Sequence, residues 1–369
     1  MRPFECGQCR NTVFFDNDVC LSCGAVLGFV AADLQMRAFA PPAGQPGEPG
    51  EGPWPGIGGG PALRPCGNRH SAAHCNWMLD DGDTPGQTLC CSCRLTQVLP
   101  SLDNPRNGLR WQRIEQAKRR LVFTLLSLGL APEPKQGPDD PLGLAYRLLD
   151  AEPGAPEIRT GHENGVIVIN VAEADDDHRE AQRVRLGEPQ RTLLGHLRHE
   201  TAHYLQYRWI AGTAAMPGCR EHFGDEIADY AQALAHHYAE GPSADWSQHF
   251  ISPYASAHPW EDWAETCAHY LLVVDAVQTA ASWGLQLSGH LSATPHDTDL
   301  KAPSDVQHLV LEQWLPGAQF LNAMNRSLGL LDSYPFQMPA AVLDKLATVQ
   351  QLLRGAAGLR QRPLQRQVP

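Results

Sequence analysis

The sequence lacks both an apolar leader and a long apolar run. The 369-residue chain begins Met-Arg-Pro-Phe-Glu-Cys, without the apolar core that a signal peptide requires. It also contains no stretch of about eighteen consecutive apolar residues, the length that a transmembrane helix needs. We therefore expect a cytoplasmic protein without a membrane partner, whose cysteines stay reduced. Disulfides in a secreted protein are the alternative interpretation.

An excess of basic residues is missing as well. The chain carries 29 Lys and Arg against 41 Asp and Glu, which gives a formal net charge of −12. Such a surface repels phosphate backbones, so general nucleic-acid binding is not expected. Lys118, Arg119 and Arg120 give one predicted helix a basic face, which we interpret as solvated rather than as a nucleic-acid site.

Cysteine, by contrast, is abundant and concentrated near the N-terminus, where nine of the eleven cysteines precede residue 94. The first set has the spacing C-x2-C-x10-C-x2-C, with a glycine after the second pair, and consists of Cys6, Cys9, Cys20 and Cys23. Two such pairs of closely spaced thiolates are typical of a structural zinc ribbon.

A second set consists of Cys66, Cys75, Cys90 and Cys93. Its first pair is more widely spaced, and Cys91 allows a different pairing with Cys93. His70 or His74 is a further alternative ligand. Each set predicts a zinc ion held by four protein ligands, which leaves no position for a substrate. These sites should stabilise a region with little hydrophobic core.

The motif with most chemical information is His-Glu-Thr-Ala-His at 199–203. It lies in a predicted helix over residues 191–210, where His199 and His203 share one face. Two imidazoles at this spacing can bind one zinc ion, and Glu200 lies beside them, where a general base is needed. An exposed helix face that carries these residues without a metal is the alternative.

A third ligand is expected from residues 258–270, which read His-Pro-Trp-Glu-Asp-Trp-Ala-Glu-Thr-Cys-Ala-His-Tyr. Pro259 suits the first turn of a helix, and Glu261 and Glu265 lie one turn apart on it. Glu261 can bind the metal, while Glu265 can accept a hydrogen bond from a ligating histidine. The alternatives are His258 as the ligand and a solvated acidic face for the two glutamates.

These two motifs together resemble the gluzincin metallopeptidases, and the lethal-factor-like ones in particular. The resemblance implies that Glu261 binds zinc and that Glu265 lies outside the ligand shell. It further implies that Tyr254, seven residues before Glu261, assists the transition state. A simple packing role for Tyr254 remains the alternative.

A second resemblance covers residues 1 to about 350. It rests on Arg-Pro-Cys-Gly-Asn (64–68), Cys-Asn-Trp (75–77), the helix 117–130 and Leu-Leu-Gly-His-Leu-Arg-His-Glu (193–200). Together these are similar to a bacterial family of zinc-binding metallopeptidases with an N-terminal zinc ribbon. The resemblance implies an enzyme but leaves its substrate undefined.

The predicted fold class is α+β, with N-terminal zinc ribbons followed by a mainly helical zincin-like domain that contains a small β-sheet. Residues 165–171 predict a strand, either at a substrate-binding edge or in the centre of a sheet, and an acidic loop should follow at 173–177. The predicted regions are a ribbon (1–30), a Gly/Pro linker (31–62), a second ribbon (63–103), a connecting helix (104–139), the catalytic domain (140–285), C-terminal helices (286–355) and a loose tail (356–369).

The sequence thus predicts a metallopeptidase with one catalytic and two structural zinc ions, acting on a peptide or protein substrate. Glu200 is the predicted general base, and the ribbons are a candidate surface for a protein partner. Two other functions fit the same residues. One is a non-catalytic ribbon regulator on a zincin scaffold, and the other is a zinc amidohydrolase with a non-peptide substrate.

Overall fold

The structure is a computed structural model that describes residues 2–42, 52–79, 86–151, 158–186, 188, 191–287 and 305–360. The chain forms two compact units. The first comprises Met1–Leu126 and Ala131–Glu180, and the second comprises Ser127–Leu130 and Ala181–Pro369. Small sheets and many helices confirm the predicted α+β class.

Among its described residues, the first unit contains eight strands in three small sheets. Two antiparallel hairpins come first, formed by β1 (Phe4–Glu5) with β2 (Thr12–Val13) and by β3 (Val26–Val30) with β4 (Gln35–Phe39). A four-stranded sheet follows in the order β5-β6-β8-β7. Its strands are β5 (Thr96–Val98), β6 (Ala145–Leu149), β7 (Gly161–Glu163) and β8 (Val166–Asn170).

The two cysteine-rich regions share one core. Phe29 of β3 donates its backbone N–H to Asn76 O and accepts from Met78 N, both at 2.8 Å, so strand β3 pairs directly with the second cysteine-rich region. An aromatic cluster surrounds this pairing, with ring centroids 4.7–6.4 Å apart: Phe4, Phe15, Phe29, Trp77 and Phe123. Burying these rings together makes the two regions one body rather than two separate modules.

The range expected to be a linker, residues 31–62, contains regular structure. β4 lies within it, and Trp54 exchanges backbone hydrogen bonds with Leu63 at 2.7 and 3.1 Å. Both side chains join a buried apolar cluster with Val30, Phe39 and Met78. Residues 43–51 of the expected linker lie outside the described residues. The described part packs because its few large apolar side chains complete the core of the ribbons.

The strand expected over 165–171 is β8, and it is central rather than peripheral. It pairs in parallel with β6 on one side and antiparallel with β7 on the other. Its backbone groups are therefore engaged on both sides, so the central alternative is correct and the edge-strand interpretation is wrong. The alternating burial of Ile167 and Ile169, each at most 1% exposed, fits this position.

Helix α1 (Asn107–Ser127) lies within the region expected to be a connecting helix (104–139), but Lys118 and Arg119 of its basic face are buried. Lys118 is fully buried and donates to Glu115 Oε1 at 2.8 Å, while Arg119 donates to the carbonyl of Ala73 at 3.3 Å. Arg120 pairs with Asp16. The prediction failed because a run of basic residues does not show which side chains the tertiary fold buries, and the partners of Arg119 and Arg120 lie 46 and 104 positions away in sequence.

Helix α2 (Asp176–Leu186) begins inside the acidic run that was expected to be a loop. A short 3-10 helix precedes it over Val171–Ala174. Asp176 and Asp177 occupy the first turn of α2, where carboxylates interact favourably with the helix dipole. The loop prediction was therefore wrong.

The second unit is helical. Its core helices are α3 (Leu193–Trp209), α7 (Pro259–Ser282) and α10 (Ala340–Arg360). Shorter helices lie between them: α4 (Met216–Phe223), α5 (Tyr230–Glu240) and α6 (Trp246–His249), then α8 (Val306–His308), a π-helical turn (Leu309–Trp314) and α9 (Leu315–Ser327). None of the helices in the described parts of the chain is long and apolar enough to cross a membrane.

Candidate metal centre

Helix α3 carries the His-Glu-x-x-His motif, and local capping explains where it begins. Thr192 precedes the helix and accepts a hydrogen bond from Gly195 N at 3.0 Å through its side chain. The middle of α3 is buried, including Leu197, Thr201 and Ala202, each at 0% exposure. The motif is therefore anchored on a packed helix.

Helix α7 provides the second half of the site and starts where Pro259 predicted. His258 caps it by accepting from Trp260 N through Nδ1 at 3.1 Å. Its other ring nitrogen lies 3.1 Å from the carbonyl of Ala228. Both nitrogens of His258 are thus occupied, which explains why this alternative ligand lies outside the metal-ligand cluster.

The two helices bring His199, His203 and Glu261 together. Their candidate ligand atoms all lie within 4.8 Å of one another. Glu261 Oε2 is 3.0 Å from His199 Nε2 and 3.5 Å from His203 Nε2. Ligands about 2.0–2.1 Å from a tetrahedral zinc ion are separated by roughly 3.3 Å, so these distances fit such a site.

The chemistry of these atoms also fits a cation. His199 Nδ1 lies 2.7 Å from Glu265 Oε1, where an N–H on Nδ1 is the natural donor. With the proton on Nδ1, the Nε2 lone pair of His199 faces Oε2 of Glu261. Nε2 of His203 lies 3.5 Å from the same oxygen. Three potential lone-pair donors that converge in a buried site are suited to share a cation, and the donor set of two imidazoles and a carboxylate suits zinc.

Two carboxylates set the electrostatics of the site. Burial by itself lowers the pKa of His199, but its contacts with Glu261 and Glu265 raise that pKa well above its usual value. Burial would raise the pKa of Glu265, yet the His199 contact holds it at about 2. Burial would raise the pKa of Glu261, but its contacts with His199 and His203 hold that pKa well below its usual value. Both glutamates are thus held as carboxylates.

Glu265 lies where an outer-shell residue is expected. Its Oε1 faces His199 Nδ1, and its Oε2 accepts from the Ser252 hydroxyl at 2.6 Å. With one oxygen held by serine and the other by the histidine, the carboxylate fixes the orientation of the His199 ring. It does not belong to the cluster of converging ligand atoms.

Further contacts lock α3 against α7 around the motif. Trp263 donates its indole N–H to the carbonyl of Ala202 at 2.8 Å, inside the motif itself. Arg198 forms a buried ion pair with Asp275 at 2.7 Å. Removing one partner of a buried ion pair leaves an uncompensated charge, so these contacts oppose any separation of the two helices.

The two residues predicted to act in catalysis lie on different elements of the second unit. Glu200 follows His199 on α3 and is 9% exposed. Tyr254 lies in a 3-10 helix over Tyr254–Ala257, with its ring centroid 6.1 Å from that of His199. Burial and the negative charge of Glu261 raise the pKa of the Tyr254 phenol, so it remains protonated and able to donate.

Two residues of the site, Tyr230 and Ser252, were not predicted from the sequence. Tyr230, at the start of α5, donates its hydroxyl hydrogen to Glu261 Oε1 at 2.6 Å. No motif connects it with Glu261, which follows 31 positions later on a different helix. Both Tyr230 and Tyr254 precede Glu261 in the sequence. Only Tyr254 has a counterpart in the gluzincin pattern.

The two cysteine sets also form compact clusters. Each consists of the four predicted residues: Cys6, Cys9, Cys20 and Cys23, and Cys66, Cys75, Cys90 and Cys93. Sulfur–sulfur distances of 3.7 Å occur in both, between Cys6 and Cys23 and between Cys75 and Cys90. Four sulfurs about 2.3 Å from a tetrahedral zinc ion would be roughly 3.8 Å apart, so both clusters fit this metal.

The clusters also settle the open assignments. All eleven cysteines are within the described residues and none forms a disulfide. Cys90 belongs to the second cluster and Cys91 does not, and neither His70 nor His74 contributes to it. Cys219 and Cys267 are buried elsewhere, at 1% and 0% exposure, as small apolar side chains.

Comparison with known proteins agrees with this picture. Residues 107–352 match the family described as "Putative zinc-binding metallo-peptidase", and residues 3–104 match a zinc-ribbon domain. An uncharacterized protein of Mycobacterium bovis is 42% identical over 347 residues, which cover 94% of this chain and 93% of the relative. Uncharacterized proteins from two strains of Mycobacterium tuberculosis show the same identity and coverage. No solved structure matches the chain significantly.

Proposed function

Because the chain belongs to the family described as putative zinc-binding metallo-peptidases, we propose that it is a zinc-dependent peptidase of the gluzincin type. His199, His203 and Glu261 would hold the catalytic zinc. The observation that carries this proposal is the convergence of one carboxylate oxygen on two imidazole nitrogens, at 3.0 and 3.5 Å. A zinc ion bound by these residues supplies Lewis acidity, which polarises a peptide carbonyl and lowers the pKa of a water molecule toward about 7.

Glu200 is the proposed general base. It follows a ligand residue directly on α3, and its low exposure of 9% places it in a region of reduced dielectric. A carboxylate there accepts a proton from the attacking water and delivers it to the leaving amine. Replacement by glutamine keeps the shape of the side chain but removes its ability to accept that proton.

Tyr254 is the proposed donor to the oxyanion that develops on the substrate. Its pKa is raised by burial and by Glu261, so the phenol is a neutral O–H donor at physiological pH. A donor that is already oriented before the reaction stabilises developing charge more effectively than water does. Glu265 and Ser252 support this chemistry indirectly, because they hold the His199 ring in a fixed orientation.

The two cysteine clusters have a different role in this proposal. Each would bind a structural zinc ion through four thiolates and leave no ligand position for a substrate. They brace the first unit and provide a surface for a protein partner. The enzyme's substrate would be a peptide or a protein.

The proposal is tested with Glu200→Gln and a matched control, Glu221→Gln, whose side chain is exposed on α4. Bound zinc is measured by mass spectrometry of the intact protein, and turnover is measured on a mixed peptide library. We expect Glu200→Gln to keep all of its zinc and to lose at least ~100-fold in turnover, as expected for removal of a general base. Glu221→Gln should match wild type. Equal cleavage by Glu200→Gln and wild type would reject the mechanism.

A further inference from the structure

Tyr230 reaches the candidate zinc ligand from a helix that is largely exposed. Within the described helix α5, no residue is buried, and Tyr230 itself is 42% exposed. Its hydroxyl nevertheless lies 2.6 Å from Glu261 Oε1. The Tyr230 side chain is thus partly exposed, yet its hydroxyl donates to a buried carboxylate instead of to water.

The surrounding contacts fix Tyr230 in this position. Its ring packs edge-on against His258, with centroids 5.2 Å apart and an interplanar angle of 88°. The carbonyl of Ala228, two residues earlier, lies 3.1 Å from His258 Nε2. Asp229 caps α5 by accepting from Gln232 N at 3.0 Å. The start of α5 is therefore attached to the first turn of α7, the turn that carries Glu261.

Because of this hydrogen bond, the two carboxylate oxygens of Glu261 have different partners. Oε1 accepts from Tyr230, while Oε2 faces the two imidazoles. A carboxylate held in this way offers a metal one oxygen in a defined direction instead of rotating to offer both. A tyrosine hydroxyl carries its proton at physiological pH, so Tyr230 can donate this hydrogen bond.

Resting on the proposed function, we propose that Tyr230 is a positioning residue that holds Glu261 as a one-oxygen zinc ligand. It acts through Glu261 and does not itself contact the metal or supply a proton to the substrate. Hydrogen-bond partners of metal ligands commonly contribute 10-fold to 100-fold in metal affinity. The same contact couples the position of helix α5 to the geometry of the zinc site.

The test uses three variants of the full-length protein. Tyr230→Phe removes only the hydroxyl, and Tyr230→Ala also removes the ring that packs on His258. Tyr238→Phe is the matched control, because Tyr238 lies on the same helix and is 62% exposed. Zinc affinity of the His–Glu site is measured by chelator competition, with His203→Ala as the baseline for zinc held elsewhere. The visible spectrum of cobalt-loaded protein reports the coordination number directly.

We expect Tyr230→Phe to weaken zinc binding about 10-fold to 100-fold and to shift the cobalt spectrum toward higher coordination. Tyr230→Ala should behave similarly, and Tyr238→Phe should match wild type. Wild-type affinity and spectrum in Tyr230→Phe would overturn the inference, as would a defect in Tyr230→Ala that phenylalanine fully rescues. If wild type binds no more zinc than His203→Ala, the proposed function fails as well, which distinguishes the two failures.

Discussion

The four-cysteine clusters and the His–Glu cluster differ in the number of ligands that the protein supplies. Each cysteine cluster offers four sulfurs, whereas the His–Glu cluster offers two nitrogens and one oxygen. Zinc prefers four ligands in a tetrahedral arrangement, so the first kind of site is complete and the second has room for one more. The same metal can therefore brace one unit and serve chemistry in the other.

The surroundings of the clusters differ in a corresponding way. The cations Arg69 and Arg119 interact with the thiols of the second cysteine cluster, where they can balance the negative charge of bound thiolates. The His–Glu cluster is surrounded instead by groups that exchange or direct protons, namely the carboxylates of Glu200 and Glu265 and the hydroxyls of Tyr230, Ser252 and Tyr254. Charge balance suits a permanent site, and proton-handling groups suit a reactive one.

The largest expected effect comes from breaking a cysteine cluster, and adjacent residues provide a matched pair. Cys90→Ser removes a buried sulfur of the second cluster, whereas Cys91→Ser changes a partly exposed neighbour outside it. Structural zinc contributes about 10–16 kcal/mol to folding of small ribbons, which is as large as the roughly 5–15 kcal/mol of stability in a whole domain. We expect Cys90→Ser to bind one zinc ion fewer than wild type. We also expect its first unit to unfold without a cooperative transition.

Zinc per chain and thermal unfolding of both variants provide the measurement. Cys91→Ser should keep wild-type zinc and change stability by about 1 kcal/mol or less, as surface substitutions usually do. A variant pair in which Cys91→Ser loses zinc and Cys90→Ser does not would show that the clusters are wrongly assigned.

A smaller effect is expected at a buried histidine that takes no part in the metal cluster. His269 Nδ1 lies 2.8 Å from the Tyr334 hydroxyl, and burial lowers the pKa of His269 to about 4. In the unfolded chain its pKa is near 6.5, so the unfolded state binds more protons as pH falls. The stabilising contribution of neutral His269 is therefore complete above pH 6.5 and is lost progressively between about 6.5 and 4.

Urea unfolding at several pH values tests this expectation in wild type and His269→Asn. Between pH 6.5 and 4, wild type should lose about 3 kcal/mol more stability than the variant, which has no ring to protonate. His308→Asn, at an exposed position, controls for the general effect of removing a histidine. Parallel pH dependence in wild type and His269→Asn would contradict the account of this residue.

Local patterns predicted the parts of the site that lie within single helices. The spacing of His199 and His203 and the proline before Glu261 were sufficient to place α3 and α7, since helix periodicity and capping are local properties. Paired cysteine spacings predicted both thiol clusters for the same reason. The choice between Cys90 and Cys91 needed the structure, because Cys91 also lies close enough to Cys93 in sequence to pair with it.

Tertiary contacts account for what the sequence did not predict. Tyr230 meets Glu261 only because α5 packs beside the first turn of α7. Lys118 looked solvated because its buried partner, Glu115, is recognisable only when the surrounding core is known. The common core of the ribbons depends on pairing of Phe29 with residues near Trp77, almost fifty positions later. The contacts of Tyr230 and Phe29 leave no periodic signal in the sequence, and the i,i+3 spacing of Glu115 and Lys118 does not show that the pair is buried.

X-ray diffraction collected on both sides of the zinc absorption edge tests the central claim most directly. The account predicts three anomalous peaks per chain, two of them among the cysteine clusters and the third between His199, His203 and Glu261. Crystals of His203→Ala should lose only the third peak. Zinc confined to the cysteine clusters in the wild-type protein would contradict the claim that the His–Glu cluster is a metal centre.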